Sequence, residues 1–109
     1  MPIEKINQAN FEEKVIASKI LVLVDFYAEW CSPCRLMTPV FEELALENTE
    51  RVVFYKVDTD ENPNLIKKYG IIGIPALLFF KAGKLELFEN DQKSKLKIQS
   101  LIDLFLLNE

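Results

Sequence analysis

The sequence has no histidine, only two cysteines and only three glycines among its 109 residues. Zinc takes four ligands, drawn mostly from Cys, His and carboxylates. With no His and no third Cys, a zinc site would have to be completed by Asp or Glu or by a second chain. The few glycines and five prolines form no low-complexity segment. No stretch approaches the ~20 consecutive apolar residues that a membrane helix needs. The longest uncharged apolar runs, residues 20–24 and 74–80, have the length of strands. Lys and Arg are scattered, and Asp and Glu outnumber them to give a net charge of −4. A nucleic-acid surface needs clustered basic residues, so neither nucleic acid nor membrane is an expected partner. Residues 1–5 lack the basic start and apolar core of a secretory signal, and a cytoplasmic location is expected. In such a reducing compartment two neighbouring cysteines are not expected to serve as a permanent staple.

What is present suits one packed unit. The length is near the commonest size for a single core, so residues 1–109 are expected to form one domain. A chain this long buries about two-thirds of the surface its unfolded form exposes, and half of its residues are hydrophobic. Nothing in it demands more than a monomer.

The apolar pattern alternates between strand and helix. Residues 3–6 fit a short strand. Asn10 and Glu13 fit a helix start with Asn10 as the cap, and Phe11, Val15 and Ile16 give that helix its apolar stripe. Residues 20–28 are continuously apolar except for Asp25, the pattern of a central strand covered on both faces. From Cys34 to about Glu47 the residues Met37, Val40, Phe41, Leu44 and Ala45 recur at helical spacing, with Pro39 inside the pattern where a kink is expected. Residues 51–58 form the next strand, and Asn62-Pro63 opens a helix that stops at Gly70. Residues 76–80 and 84–88 flank a short turn containing Gly83, and residues 94–107 place Ile98, Leu101, Ile102 and Phe105 on one helical face. The order β-α-β-α-β-α-β-β-α implies an α/β fold with a mixed sheet and helices on both sides.

Both cysteines lie in Trp30-Cys31-Ser32-Pro33-Cys34, at the strand-to-helix turn that follows the central strand. Two thiols separated by two residues can close to a disulfide and reopen. The thiolate is the attacking species, and a free cysteine with a pKa of ~8.5 is mostly protonated near neutrality. A helix N-terminus favours negative charge. If the helix begins near Pro33, Cys31 sits at that positive end as an exposed attacker, and Cys34, one turn inside, is the enclosed resolver. Asp25, a carboxylate in an otherwise apolar strand, is expected to have a raised pKa and to act as a base near neutral pH; a solvated place at the strand end is the alternative. Zinc and a purely structural disulfide remain as other uses of the pair.

The segment 24–35, Val-Asp-Phe-Tyr-Ala-Glu-Trp-Cys-Ser-Pro-Cys-Arg, resembles the active-site signature of thioredoxins. The resemblance continues through Pro39, the stretch 57–62, the stretch 69–75 that ends in Ile74-Pro75, and the turn at 80–84, and it spans residues 6–105. It implies a thioredoxin fold, a central mixed five-stranded sheet flanked by four helices. It further implies a protein-disulfide reductase with Cys31 as nucleophile, Cys34 as resolving cysteine and Asp25 as the proton acceptor and donor beneath them. Pro75 matches the family's cis-proline. Ile74 would pair its backbone with an extended substrate, and Trp30, Pro33, Ile72, Gly73 and Ile74 would form an apolar docking patch around Cys31. Ordinary core remains the other reading of the isoleucines. No bound cofactor and no metal are implied: electrons would come from NADPH through thioredoxin reductase, and disulfide-containing client proteins would receive them. Lys56 falls where the family often has a lysine near the buried Asp, yet by residue type it reads as a solvent-facing strand position. Asp58 and Asp60 read as strand end and helix start.

The sequence also departs from the family. Ser32 replaces the Gly most frequent between the cysteines, so Ser32 and Pro33 are expected to tune the pair, since Ser can donate a hydrogen bond to a thiolate and restricts the backbone. Ala76 replaces the usual Thr after the proline, and Glu89-Asn90-Asp91 stands where the family carries a glycine. Two other readings belong beside the reductase: an oxidase or isomerase, which needs an oxidising compartment, and a non-catalytic subunit that uses the patch to hold a partner.

Overall fold

The continuously apolar stretch after residue 20 becomes β2 (Leu21–Tyr27), the middle strand of a five-stranded sheet. Six of its seven residues are buried and Tyr27 is half-buried. This computed structural model describes residues 3–107. The sheet has the order β1-β3-β2-β4-β5, with β1 (Glu4–Lys5), β3 (Val52–Asp58), β4 (Ala76–Lys81) and β5 (Lys84–Asn90). β1 and β2 both run parallel to β3, while β4 is antiparallel to β2 and to β5. The helical pieces are a single π-helical turn (Glu12–Ile16) and three α-helices, α1 (Ser32–Glu47), α2 (Pro63–Tyr69) and α3 (Lys95–Leu107). The mixed five-stranded sheet and its four helical elements are the arrangement that the resemblance implies.

Side chains alternate across each strand, so β2 feeds two apolar layers. Leu21 and Leu23 pack with Met37, Phe41 and Leu44 of α1, Phe79, and Ile98 and Ile102 of α3. Val22, Val24 and Phe26 face the other way, with Phe11, Val15, Leu65, Leu78 and Phe80. Each such side chain taken out of water contributes about 1.5–3 kcal/mol. A strand loaded on both faces fixes its own C-terminal end, and that end carries the cysteine turn.

Several local expectations are corrected. Asn10 does not cap a helix: its Oδ1 accepts the Asn7 N–H at 2.9 Å. The segment beyond it winds only one wide turn, closed by Ala17 N donating to Glu12 O. Short polar side chains compete for local backbone groups in this way. Asn62 occupies the cap position of α2, but its side chain bonds elsewhere, accepting Gln8 N–H at 2.8 Å and donating to Asp58 O at 2.8 Å. The buried amide ties the N-terminal loop to the end of β3. Ser94 does cap, accepting Lys97 N–H at the start of α3. α1 starts two residues earlier than the periodicity suggests and continues through Pro39.

The β4–β5 connection turns on Ala82 and Gly83, with φ of 51° and 79°. Both lie in the left-handed region that the right-handed twist of a two-residue hairpin requires. A Cβ at Gly83 would sit 2.5 Å from the carbonyl oxygen of Ile16.

Candidate functional site

The cysteine turn leaves β2 at its C-terminal end and passes directly into α1. Cys31 is the N-cap residue, with extended backbone angles, and Pro33 lies in the first turn. Pro is tolerated there because the first helical N–H groups have no partner within the helix. One of those orphan donors, the N–H of Cys34, points at the Cys31 sulfur at 3.2 Å. The sulfur thus takes the place that a Ser or Asp oxygen fills in an ordinary cap. The two cysteines are joined as a disulfide with Cα atoms 5.3 Å apart.

The expected contrast in exposure is absent. Cys31 is 4% and Cys34 3% exposed, both packed with Ala28 and flanked by Tyr27 and Ile74. The burial belongs to the closed disulfide, with Ile74 packed against the cluster. What distinguishes Cys31 is its place at the helix end.

Asp25 lies in the interior of β2, buried, with one carboxylate oxygen that finds no hydrogen-bond partner among the described residues. Burial pushes its pKa up to about 7, partly offset by the positive charge of Lys56. A carboxyl group held near neutrality can take up or release a proton under physiological conditions. Asp25 and Cys34 both line a cavity of about 210 Å³, together with Arg35, Thr38, Glu42 and Lys56. This volume is several times the ≈ 30 Å³ that one water occupies in the liquid. Lys56 is therefore not a solvent-facing strand residue. It is half-buried, opposite Asp25 in the β2–β3 register, with its ammonium 5.6 Å from the centre of the Tyr27 ring.

Four of the residues expected to dock a substrate, Trp30, Ile72, Gly73 and Ile74, share one groove. Ile74-Pro75 is a cis peptide. Ile72 is 93% and Trp30 67% exposed, while Ile74 is half-buried and Pro75 buried. Core packing thus does not account for Ile72. Trp30, Ile72, Gly73 and Ile74 line a groove of about 290 Å³ with Thr59, Asp60, Ile66 and Ile71. Trp30 precedes Cys31 in the chain and Ile74 packs against the cysteine cluster, whereas Pro33 is not among the residues lining this groove.

Three residues make contacts at the site that the sequence alone does not indicate. Asp60 is more than a helix opener: its Oδ2 accepts the indole N–H of Trp30 at 2.9 Å and holds the exposed ring. Arg35 reaches back over the turn, donating to the Glu29 carbonyl at 2.7 Å and to the Ser32 hydroxyl at 3.1 Å. Asp91 donates its N–H to the carbonyl of Pro75 at 2.9 Å from a left-handed φ of 71°. Asp91 thus takes the left-handed conformation that a glycine would adopt freely. Strand pairing supplies the signal for Lys56, since Asp25 and Lys56 fall at the same depth once the two apolar runs are aligned in parallel.

Among the described residues no group of three or more Cys, Asp and Glu side chains is placed to hold a metal ion. None of the described helices is long and apolar enough to cross a membrane.

The thioredoxin family profile matches residues 2–104. The chain belongs to the thioredoxin family. It is 45% identical over 98 residues to a thioredoxin of Acidithiobacillus ferridurans, covering 90% of this chain and 91% of that one. A thioredoxin of Buchnera aphidicola is 41% identical over 96 residues, 88% of each chain. The chloroplastic M-type thioredoxin of Pisum sativum is 48% identical over 82 residues; these make up 75% of this chain but only 48% of the pea protein. With its cysteines two residues apart at the head of α1, this thioredoxin-family chain is a thiol–disulfide oxidoreductase of the protein-disulfide reductase kind.

Proposed function

We propose that Cys31 is the attacking thiol and Cys34 the resolving one, with Asp25 as the proton acceptor for Cys34. The observation that carries this reading is the Cys34 N–H aimed at the Cys31 sulfur from the first turn of α1. In the reduced protein the same donor and the helix dipole favour a thiolate on Cys31.

The Cys31 thiolate attacks one sulfur of a client disulfide. A new S–S bond joins Cys31 to the client, the client's own S–S bond breaks, and its other sulfur leaves as a thiolate that picks up a proton. The Cys34 thiol then gives its proton to the Asp25 carboxylate and attacks the Cys31 sulfur. The mixed disulfide breaks, the client's second sulfur leaves, and the Cys31–Cys34 disulfide closes. Two electrons have passed to the client, and Asp25 returns its proton through the cavity. Ser32 and Pro33 tune the pair.

Client docking belongs to Trp30, Ile72, Gly73, Ile74 and Pro75. An extended client strand lying along the groove would meet backbone groups at 73–75 and apolar side chains on either side of Cys31. The disulfide would be reopened by thioredoxin reductase at the expense of NADPH, the cysteines themselves carrying the electrons. We further read the chain as a cytoplasmic electron carrier acting as a monomer, with residues 1–109 as one domain built on the single sheet.

Cysteine replacements test the assignment. Cys31→Ser should abolish client reduction, whereas Cys34→Ser should accumulate a mixed disulfide between Cys31 and the client, visible by non-reducing electrophoresis and mass spectrometry. No trapped adduct with Cys34→Ser would defeat the two-step scheme. Asp25→Asn should slow resolution in single-turnover experiments, and kinetics unchanged between pH 6 and 9 would remove Asp25 from the mechanism.

A further inference from the structure

Arg35 touches the cysteine turn at three points. Its backbone N–H donates to the Cys31 carbonyl at 3.2 Å. One guanidinium nitrogen donates to the Glu29 carbonyl at 2.7 Å and the other to Ser32 Oγ at 3.1 Å. The side chain therefore brackets Trp30 and Cys31, gripping the chain two residues before the sulfur and one residue after it. A planar guanidinium presents several donors in a fixed fork, so it spans two acceptors that a lysine ammonium would meet only one at a time. The second grip depends on Ser32, because a glycine there would offer no side-chain acceptor. The Ser32 hydroxyl, having accepted from Arg35, keeps its own hydrogen to donate.

We propose that Arg35 is a positioning residue for the attacking thiol, acting through Ser32 to favour the Cys31 thiolate. The fork holds the turn so that the sulfur stays at the head of α1, where the Cys34 N–H already points to it. It also places a permanent positive charge beside that sulfur's neighbour, and it fixes the hydroxyl that can donate to a thiolate. All three effects favour the ionised form and require no change in the disulfide form. Ser32 thereby acquires a partner as well as a place in the motif. This inference rests on Cys31 being the attacker.

The test is the pH dependence of iodoacetamide alkylation of the fully reduced protein, with the modified cysteine identified by peptide mass spectrometry. Arg35→Ala should move the Cys31 profile to higher pH, leaving alkylation about threefold slower below the midpoint, the size expected of an exposed charge interaction. Arg35→Lys should recover only part of the loss. Ser32→Gly should slow alkylation too, and adding Arg35→Ala to it should cost less than Arg35→Ala costs alone. An Arg35→Ala profile that overlays the original, or an equal effect with and without Ser32→Gly, would overturn the proposal. Alkylation of Cys34 ahead of Cys31 would instead overturn the assignment of the attacker on which it rests. Arg35 and Ser32 are both exposed, so neither replacement removes core packing, and circular dichroism at each pH confirms that the fold persists.

Discussion

Asp25 and Lys56 are direct register partners on β2 and β3, yet Oδ1 of Asp25 finds no hydrogen-bond partner among the described residues. The lysine supplies charge without satisfying the carboxylate, and burial prevails: the Asp25 pKa rises from 3.8 to about 7. At ~1.4 kcal/mol per unit, this corresponds to about 4 kcal/mol of stability forgone when the carboxylate is ionised. The sign follows from proton uptake. Below about pH 4 both folded and unfolded chains hold the proton, so ionisation costs nothing. Between about 4 and 7 the unfolded chain releases it while the folded chain keeps it, and stability falls as pH rises. Above about 7 the whole cost is present. Asp25→Asn should therefore stabilise the oxidised protein by about 2–4 kcal/mol at pH 8, less near pH 5.5, and not at all below pH 4. Urea unfolding across that range checks it; a gain independent of pH would contradict the buried-acid account.

Removing the neighbouring charge should act in the opposite direction to removing the acid. Lys56 lowers the Asp25 pKa, so Lys56→Met should raise it further. It should slow any step in which Asp25 accepts a proton near neutrality. A carboxyl-carbon NMR titration of Asp25 in the oxidised protein would report the shift, and an unchanged midpoint would mean that Lys56 has no electrostatic hold on it.

The indole N–H of Trp30 donates to the carboxylate of Asp60, and that bond orients the exposed ring. Asp60→Ala should leave the fold intact, with a stability change of under about 1 kcal/mol, since the bond is exposed. It should shift the fluorescence of Trp30, the chain's one tryptophan. Client turnover should show a KM raised about two- to threefold, as expected when a docking side chain loses its preferred orientation. A change in kcat with KM constant would place the effect on the chemistry instead.

Asp91 adopts a positive φ and donates its N–H to Pro75. A non-glycine residue pays roughly 1 kcal/mol for that conformation, and Asp is among the less penalised. Asp91→Gly should thus stabilise the protein by about 0.5 kcal/mol, less than the full strain relieved because the unfolded glycine has more freedom to lose. Asp91→Val should cost more than that gain. Chemical denaturation of the three proteins side by side would check the order.

The element order, the two-faced central strand and the position of the thiols were legible because they rest on hydrophobic period and on one compact motif. Cys31 at the head of α1 follows from Pro33, which suits the first turn of a helix, where its missing N–H costs no bond. The raised pKa of Asp25 follows from a single carboxylate within a run of apolar residues. What escaped was set by pairing between distant segments. Asn62 reads as a helix cap locally, but Gln8 claims its side chain. Lys56 reads as solvent-facing by type, but parallel pairing seats it across from Asp25. The exposure of Cys31 could not be judged from its place in the turn, since Ile74, from a separate loop, packs against the cluster that holds it.

The hairpin tip at Ala82-Gly83 bears on how this sequence can drift. The Gly83 backbone comes so near the carbonyl of Ile16 that no side chain fits between them. Two segments far apart in the chain are thus matched at a position where the smallest residue is the only admissible one. Change at 83 would have to wait for a prior shift of the turn at residues 12–16, whereas 82, exposed beside it, is open to any residue tolerant of a left-handed backbone. Sequences descended from this one should vary at 82 and hold fast at 83, which makes the far end of the molecule as constrained as the end that carries the thiols.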